Sequence, residues 1–236
     1  DPATSGQVPH DVSATLRDGV AGMRLAFIET MFFDGADPAV VAAVRAAGDV
    51  LADLGADVTS IEAPEIDEVM GGDEAPHRGR TVAAEGYAVN RRFLEESFDE
   101  LDPVVSNRMQ LGRDVPAIDF LEAFDAWRRL QASFAERTVG IDGFLVPATM
   151  LSARSLAEVD ASLDSYARFN GEYLRNTSIG NRLGWCGLSV PCGFTNDRLP
   201  IGLAIHAPAM HEHVALRVGD AYQSATDWHR RHPVRR

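Results

Sequence analysis

The sequence predicts an α/β fold, a mixed β-sheet flanked by helices, and three features carry that expectation. Residues 22–64 set a capped amphipathic segment between two short apolar runs, the pattern of a β–α–β unit with parallel strands and a right-handed crossover. Residues 187–205 hold two apolar runs separated by a polar turn, the pattern of an antiparallel hairpin. Helical periodicity fills most of the interval between them.

The elements follow in order. Residues 1–21 form an irregular lead-in loop. Met23–Glu29 (MRLAFIE) is a buried strand. Asp37 caps a helix with Pro38 at its first position, where a missing N–H costs nothing. Val40, Val44, Ala47, Leu51 and Leu54 recur at helical spacing until Gly55, and Val58–Ile61 is the second strand. Residues 65–142 are mainly helical. Gly71, Gly72, Pro76 and Gly79 keep residues 65–80 a loop with room for a short helix. Helices are expected over Thr81–Phe98, Pro103–Gly112 and Ile118 to about Arg137. The last has an amphipathic face of Phe120, Phe124, Trp127, Gln131 and Phe134, whose aromatics read as core. Residues 143–236 bring the strand Gly143–Pro147, which ends in Ala148-Thr149-Met150, then a helix over 155–175. The hairpin runs Gly187–Phe194 and Leu199–Ile205, with Asn196 and Asp197 suited to left-handed φ in its turn. A helix over 210–225 packs Val214, Leu216, Val218 and Tyr222 on the body. Residues 1–236 read as part of one single domain, with no internal repeat.

Composition excludes several classes. A net charge of −13 argues against nucleic acid or an anionic membrane surface as partner. No apolar run approaches the roughly 18 residues of a membrane helix. Two cysteines, Cys186 and Cys192, make neither a disulfide framework nor a zinc site, and a cytoplasmic protein with two buried thiols is expected. The chain opens on Asp1-Pro2 without a Met, and the expectation is a fragment or a processed chain.

The candidate chemistry is thin. The turn TMFFDGADP after the first strand lacks G-x-G-x-x-G, so the β–α–β unit reads as structural rather than nucleotide-binding. His211 and His213 stand two apart, and on a helix such positions point away from each other, so no metal site is expected. His206 follows a strand and faces solvent or substrate. Ser189 lies in GLSVPCG, not in a G-x-S-x-G elbow, and inside a regular strand its hydroxyl is expected to be buried and unactivated. Cys186 has no His partner in sequence. The acidic run Glu95, Glu96, Asp99, Glu100, Asp102 reads as a solvated face.

The ribbon Arg175–Pro208 changes this reading. Asn181, Gly184, Ser189, Pro191, Gly193, Pro200 and Gly202 fall where the C-terminal part of the amidase signature family places them, and the stretch resembles that family. The likeness continues through MRLAFIE and the helix after it, IDGFLVPAT, and TDWHRRHP. It covers about residues 8–233. Cys186 stands where Pro is common, and Pro147-Ala148-Thr149 replaces a usual Thr-Pro-Thr.

The resemblance implies a mixed-sheet fold and cleavage of a carboxamide C–N bond by a Ser-Ser-Lys mechanism. A base must activate the serine, and backbone N–H groups must hold the oxyanion. The sequence contains no lysine and no Gly-Ser-Ser-Gly loop. The expectation is therefore the C-terminal half of such a hydrolase, inactive alone. The catalytic residues would lie upstream, and this part would supply sheet and one wall of the pocket. The resemblance puts Thr149, Thr177, Asn181, Trp185 and Cys186 at that wall, and Arg108 where a family arginine meets a substrate carboxylate. Asn181 fits a backbone-fixing role better than substrate contact, and Arg108 also fits a helix-surface ion pair. Expected partners are a small-molecule amide and the N-terminal catalytic half, with homo-oligomerisation open. No cofactor and no metal are expected. An amidotransferase A-type subunit working with partner subunits, and a non-catalytic binding or scaffold domain, stand as alternatives. A half-sheet should also expose a strand edge.

Overall fold

The computed structural model describes residues 6, 11–70 and 80–233. It divides into two compact units, residues 1–63 with 137–236, and residues 64–136.

The first unit is built on one five-stranded sheet of order β2-β1-β3-β5-β4. Its strands are β1 (Arg24–Ile28), β2 (Asp57–Ile61), β3 (Gly143–Pro147), β4 (Cys186–Phe194) and β5 (Pro200–Ala207). β1 is parallel to both β2 and β3, whereas β5 is antiparallel to β3 and β4. The sheet is thus mixed, as the apolar runs imply. β2 and β4 are its outer strands among the described residues.

Each face has its own helices. α1 (Pro38–Asp53) and α8 (Glu212–Ala225) bury Val44, Leu51, Ala215, Val218 and Tyr222 against Leu25, Phe27, Leu145, Val190, Leu203 and Ile205. Strand side chains alternate, so Ala26, Phe144, Ala204 and His206 point to the other face. There α7 (Leu163–Leu183) brings Gly180 up to the His206 ring, which a Cβ at Gly180 would meet at 3.0 Å. The short helix α6 (Leu156–Val159) precedes it.

Several expectations are corrected. Asp37 occupies the cap position of α1 but makes no side-chain cap bond. Its carboxylate instead accepts from Ser152 N (2.9 Å), Ser152 Oγ (2.6 Å) and Arg154 Nη2 (3.0 Å). These bonds lower its pKa against the opposing effect of burial. The helix expected to end near 175 runs on to Leu183, past Asn176, Thr177, Ser178, Gly180 and Asn181. Packing of Asn176, Ile179, Gly180 and Leu183 overrides their modest helix propensity. Gly184 (φ 69°) then stops it, with Trp185 N–H donating to Gly180 O at 3.1 Å. In the hairpin turn the left-handed residue is Arg198 (φ 64°), not Asn196 or Asp197. Thr195 holds that turn instead, its Oγ1 accepting from Leu199 N–H at 3.1 Å. α8 buries Ala215, Val218, Gly219 and Tyr222, and Val214 and Leu216 are only half-buried. Ser189, expected to be buried, is exposed because β4 is an outer strand. His211 and His213 do not point apart: His211 precedes α8, and the two rings lie 5.7 Å apart. Among the described residues no cluster of three or more His, Cys, Asp or Glu is arranged to hold a metal ion.

The second unit is helical: α2 (Pro64–Met70), α3 (Arg80–Glu96), α4 (Pro103–Gln110) and α5 (Ala117–Arg137), with a 3-10 turn at Phe98–Glu100. Of the loop expected over 65–80, the part to Met70 is the helix α2, Arg80 already begins α3, and 71–79 lie outside the described residues. Asp102 caps α4 through Val104 N and Val105 N (3.0 and 3.1 Å). Beyond α4, the chain at Gly112 meets α3 closely enough that a Cβ there would lie 2.0 Å from Ala83 O. On α5 the buried row is Ala123, Leu130 and Phe134. Phe120, Phe124 and Trp127 are half-buried and pack on one another at 4.8 Å, while Gln131 is exposed. That helix has a broader polar arc than its aromatic spacing suggests. Among the described residues no helix is long and apolar enough to cross a membrane.

Candidate functional site

The residues singled out in sequence gather mainly where α7 ends and β4 begins. Gly184 reverses the chain, and Trp185 emerges onto the face opposite α1. Its indole lies on Phe144 (4.7 Å between centroids, 17° between planes) and parallel to Phe32 (6.4 Å, 10°). Phe32 and Phe144 are fully buried, so the indole rests on a fixed aromatic floor, itself half-buried. His206 meets it at 5.3 Å. The His206 ring fills a slot over Gly187, where a Cβ would sit 2.6 Å from Nδ1, and that nitrogen lies 3.3 Å from Cys186 O. Burial holds His206 below its ordinary pKa, so the imidazole is kept neutral.

Cys186 opens β4. Its Sγ lies 3.3 Å from Pro208 O and 3.5 Å from Ala207 O. Burial, helped by the Glu212 carboxylate, pushes the thiol pKa up, which works against a thiolate nucleophile. Thr177 and Asn181 stand one turn apart on the exposed side of α7. The Thr177 hydroxyl donates to Leu174 O (3.1 Å), and Asn181 fixes the helix end through its carbonyl, which accepts Gly184 N–H at 3.2 Å. Thr149 is half-buried beyond β3, with its hydroxyl donating to Leu151 O (2.9 Å) inside its own loop. Arg108 is exposed in the last turn of α4, in the second unit. The structure thus groups Thr177, Asn181, Trp185 and Cys186 around one helix end and holds Thr149 in a separate loop.

Two residues that matter here were missed in the sequence reading. Asn176 is fully buried, and its Nδ2 donates to Phe32 O (3.1 Å) and Pro147 O (2.8 Å), tying together the chain beyond β1 and the end of β3. Arg175 beside it donates to Asp34 O (2.7 Å), Phe32 O (3.3 Å) and Asn176 Oδ1 (3.2 Å). The polar spacing 175-176-177 within a helix was the one available cue. A cleft of about 360 Å³ lies elsewhere in this unit, lined by Phe27, Glu29, Arg45, Asp49 and Ser60 among others. Arg45 lies over the Phe27 and Phe33 rings and is paired with Glu29 at 2.5 Å, so its charge is already matched.

Comparison with known proteins gives a consistent result. A family model described as Amidase matches residues 1–216. An "Amidase" from Pseudomonas putida is 34% identical over 238 residues, 99% of this chain and 49% of that protein. The A-type subunit of a glutamyl-tRNA(Gln) amidotransferase from Roseiflexus sp. (strain RS-1) is 32% identical over 256 residues, 98% of this chain and 50% of that protein. The solved structure of 6-aminohexanoate cyclic dimer hydrolase complexed with substrate superposes with a TM-score of 0.78, at 19% identity, over 99% of this chain and 52% of that one. The chain spans about half the length of the curated relatives it matches.

Proposed function

The chain belongs to the amidase signature family, and from that premise we propose that it is the C-terminal portion of a hydrolase that cleaves a carboxamide C–N bond. The observation that carries the proposal is a pair of facts. The whole chain aligns with amide-cleaving relatives, yet it contains no lysine to act as the final base of a Ser-Ser-Lys relay. The relay therefore comes from polypeptide outside these 236 residues. This chain contributes the sheet and one wall of the substrate pocket.

Within that wall the roles divide by chemistry. Trp185 offers an aromatic face on a rigid floor, Cys186 a neutral thiol, and Thr149, Thr177 and Asn181 hydroxyl and amide groups. Arg108 lies in the second unit and stands apart from this wall, a cation that the family likeness would set against a carboxylate. The partner of β4, an outer strand among the described residues, is the catalytic half of the same protein. Two free thiols accord with a reducing, cytoplasmic setting.

A second reading is an amidotransferase A-type subunit working with partner subunits, favoured by the 32% identity to one such protein over 98% of this chain. The test uses the full-length gene product. Release of ammonia from simple amides with no partner present supports the hydrolase, whereas activity that appears only with co-purified partner subunits supports the second reading. A full-length product lacking the lysine and both serines sinks both.

A further inference from the structure

The course of the chain around β1 and β3 marks a particular place. These two strands are parallel neighbours. From the carboxyl end of β1 the chain crosses to α1 on one face, and from the carboxyl end of β3 it passes to α7 on the other. Such a divergence is a topological switch point, where open α/β sheets take their ligands. The loops that leave it are closely specified. Met31 adopts φ 63°, and Phe32 and Asp34 turn their carbonyls toward α7.

Arg175 lies over this place. It is half-buried, and no carboxylate stands within ion-pair distance of it among the described residues. Of the other half-buried arginines of this unit, Arg45 pairs with Glu29 at 2.5 Å and Arg154 with Asp37 at 3.0 Å, while Arg182 and Arg217 donate to the carbonyls of Ser178 and Gly19. Arg175 has two carbonyls and the Asn176 amide oxygen. Burial pulls its pKa down, with Asp34 and Glu172 opposing from a distance. A guanidinium has five N–H donors, and three are engaged here, which leaves one on each terminal nitrogen. Donors left over on a guanidinium can be taken up by the oxygens of a carboxylate.

We propose that Arg175 binds a carboxylate carried by the amide substrate, so that the substrate class is an amide of an acidic compound rather than a neutral amide. The inference rests on the amide-hydrolase reading above. Arg175 and Asn176 act as one unit: Asn176 holds the two loops at a fixed separation, and its Oδ1 orients the guanidinium plane.

The test uses the full-length protein and a matched pair of amides, succinamate and the neutral butyramide. The wild type should prefer succinamate. Arg175→Gln should raise KM for succinamate about tenfold or more and leave butyramide within about twofold. Arg175→Lys, which keeps the charge and loses the fork, should fall between and covers the case in which the glutamine variant does not fold. In parallel, succinate at constant ionic strength should raise the melting temperature of the wild type and not of Arg175→Gln. Equal losses on both amides, or a wild type that does not discriminate, overturns the inference while the hydrolase reading stands. A succinate shift that depends on Arg175 in a protein that cleaves no amide overturns the hydrolase reading and leaves the carboxylate site.

Discussion

Asn176→Ala offers the most direct measure of how the switch-point loops are held. The side chain is 1% exposed, and its Nδ2 is the donor shared by Phe32 O and Pro147 O. Truncation takes a buried donor from Pro147 O, at a cost of about 1–3 kcal/mol. Phe32 O loses one of its donors but keeps Arg175 Nη2 at 3.3 Å, so that loss is nearer the net value of one bond, about 0.5–1.5 kcal/mol. The sum is about 1.5–4.5 kcal/mol. For a chain of this size a central value near 3 kcal/mol is a fall of about 6–12 °C in melting temperature. Urea unfolding of the full-length protein reads it as a lower midpoint with an unchanged slope. Asn176→Asp should cost more. It replaces the shared donor by a carboxylate facing two carbonyls, so its deficit should also grow as pH rises and the carboxylate ionises. A stability change below about 0.5 kcal/mol for Asn176→Ala would refute the strap, because a buried amide with those two acceptors cannot be removed at no cost.

Other outcomes follow from particular contacts. Gly112→Ala should destabilise by about 2–4 kcal/mol in thermal or denaturant unfolding, since the new Cβ would lie 2.0 Å from the Ala83 backbone carbonyl, which has no rotamer to escape into. Gly171→Ala should do the reverse, stabilising by about 0.5–1 kcal/mol, because that helical position has nothing within 4 Å and the wild-type glycine carries only an entropic penalty. His206 is half-buried, and desolvation holds its pKa below the ordinary 6.5. The unfolded chain therefore binds a proton that the folded chain refuses, so stability is level above that pH and declines as pH falls below it, and His206→Gln should flatten the decline. In thiol labelling at pH 8, Cys186 should react slowly and Cys192 only on unfolding, since Cys192 is buried and its pKa is pushed up to about 12.

What the sequence disclosed tracks how local each signal is. The β1–α1–β2 unit was legible because Pro38, the 40-44-47-51 spacing and Gly55 are all near-neighbour patterns. The hairpin was legible from its two apolar runs, and the mixed sheet follows from combining it with the parallel unit. The C-terminal half of α7 was not. Asn176, Thr177, Ser178, Gly180 and Asn181 score poorly as helix formers, and what keeps them helical is long-range: Asn176 bonding to two loops, and Gly180 admitting the His206 ring. Ser189 failed for a related reason. Alternation says which residues share a face of β4, but only the strand order shows that β4 is outermost. Of the candidate site, family likeness alone pointed to residues 177, 181, 185 and 186. Arg175 and Asn176 were not legible, since a buried strap inside a helix looks in sequence like an ordinary polar turn.

Extending α7 to Leu183 also changes what its residues can do. As an irregular lead-in, residues 175–186 could have placed every side chain toward one ligand. As a helix they are sorted at about 100° per residue. Asn176, Ile179, Gly180 and Leu183 must face the sheet, as their burial shows. Thr177 and Asn181 then fall on one flank and Arg175 with Ser178 on the other, with the buried row between them. A hydroxyl-and-amide surface and a guanidinium surface are thus two flanks of the same helix. Substitutions at Asn181 and at Arg175 should therefore be additive in their effects on stability, as expected of positions without shared partners. Asn176 and Arg175, which share Phe32 O and a direct 3.2 Å bond, should not be. A double-mutant cycle giving a coupling energy near zero between Asn176 and Arg175 would separate the strap from the cation and remove the physical basis for treating them as one unit.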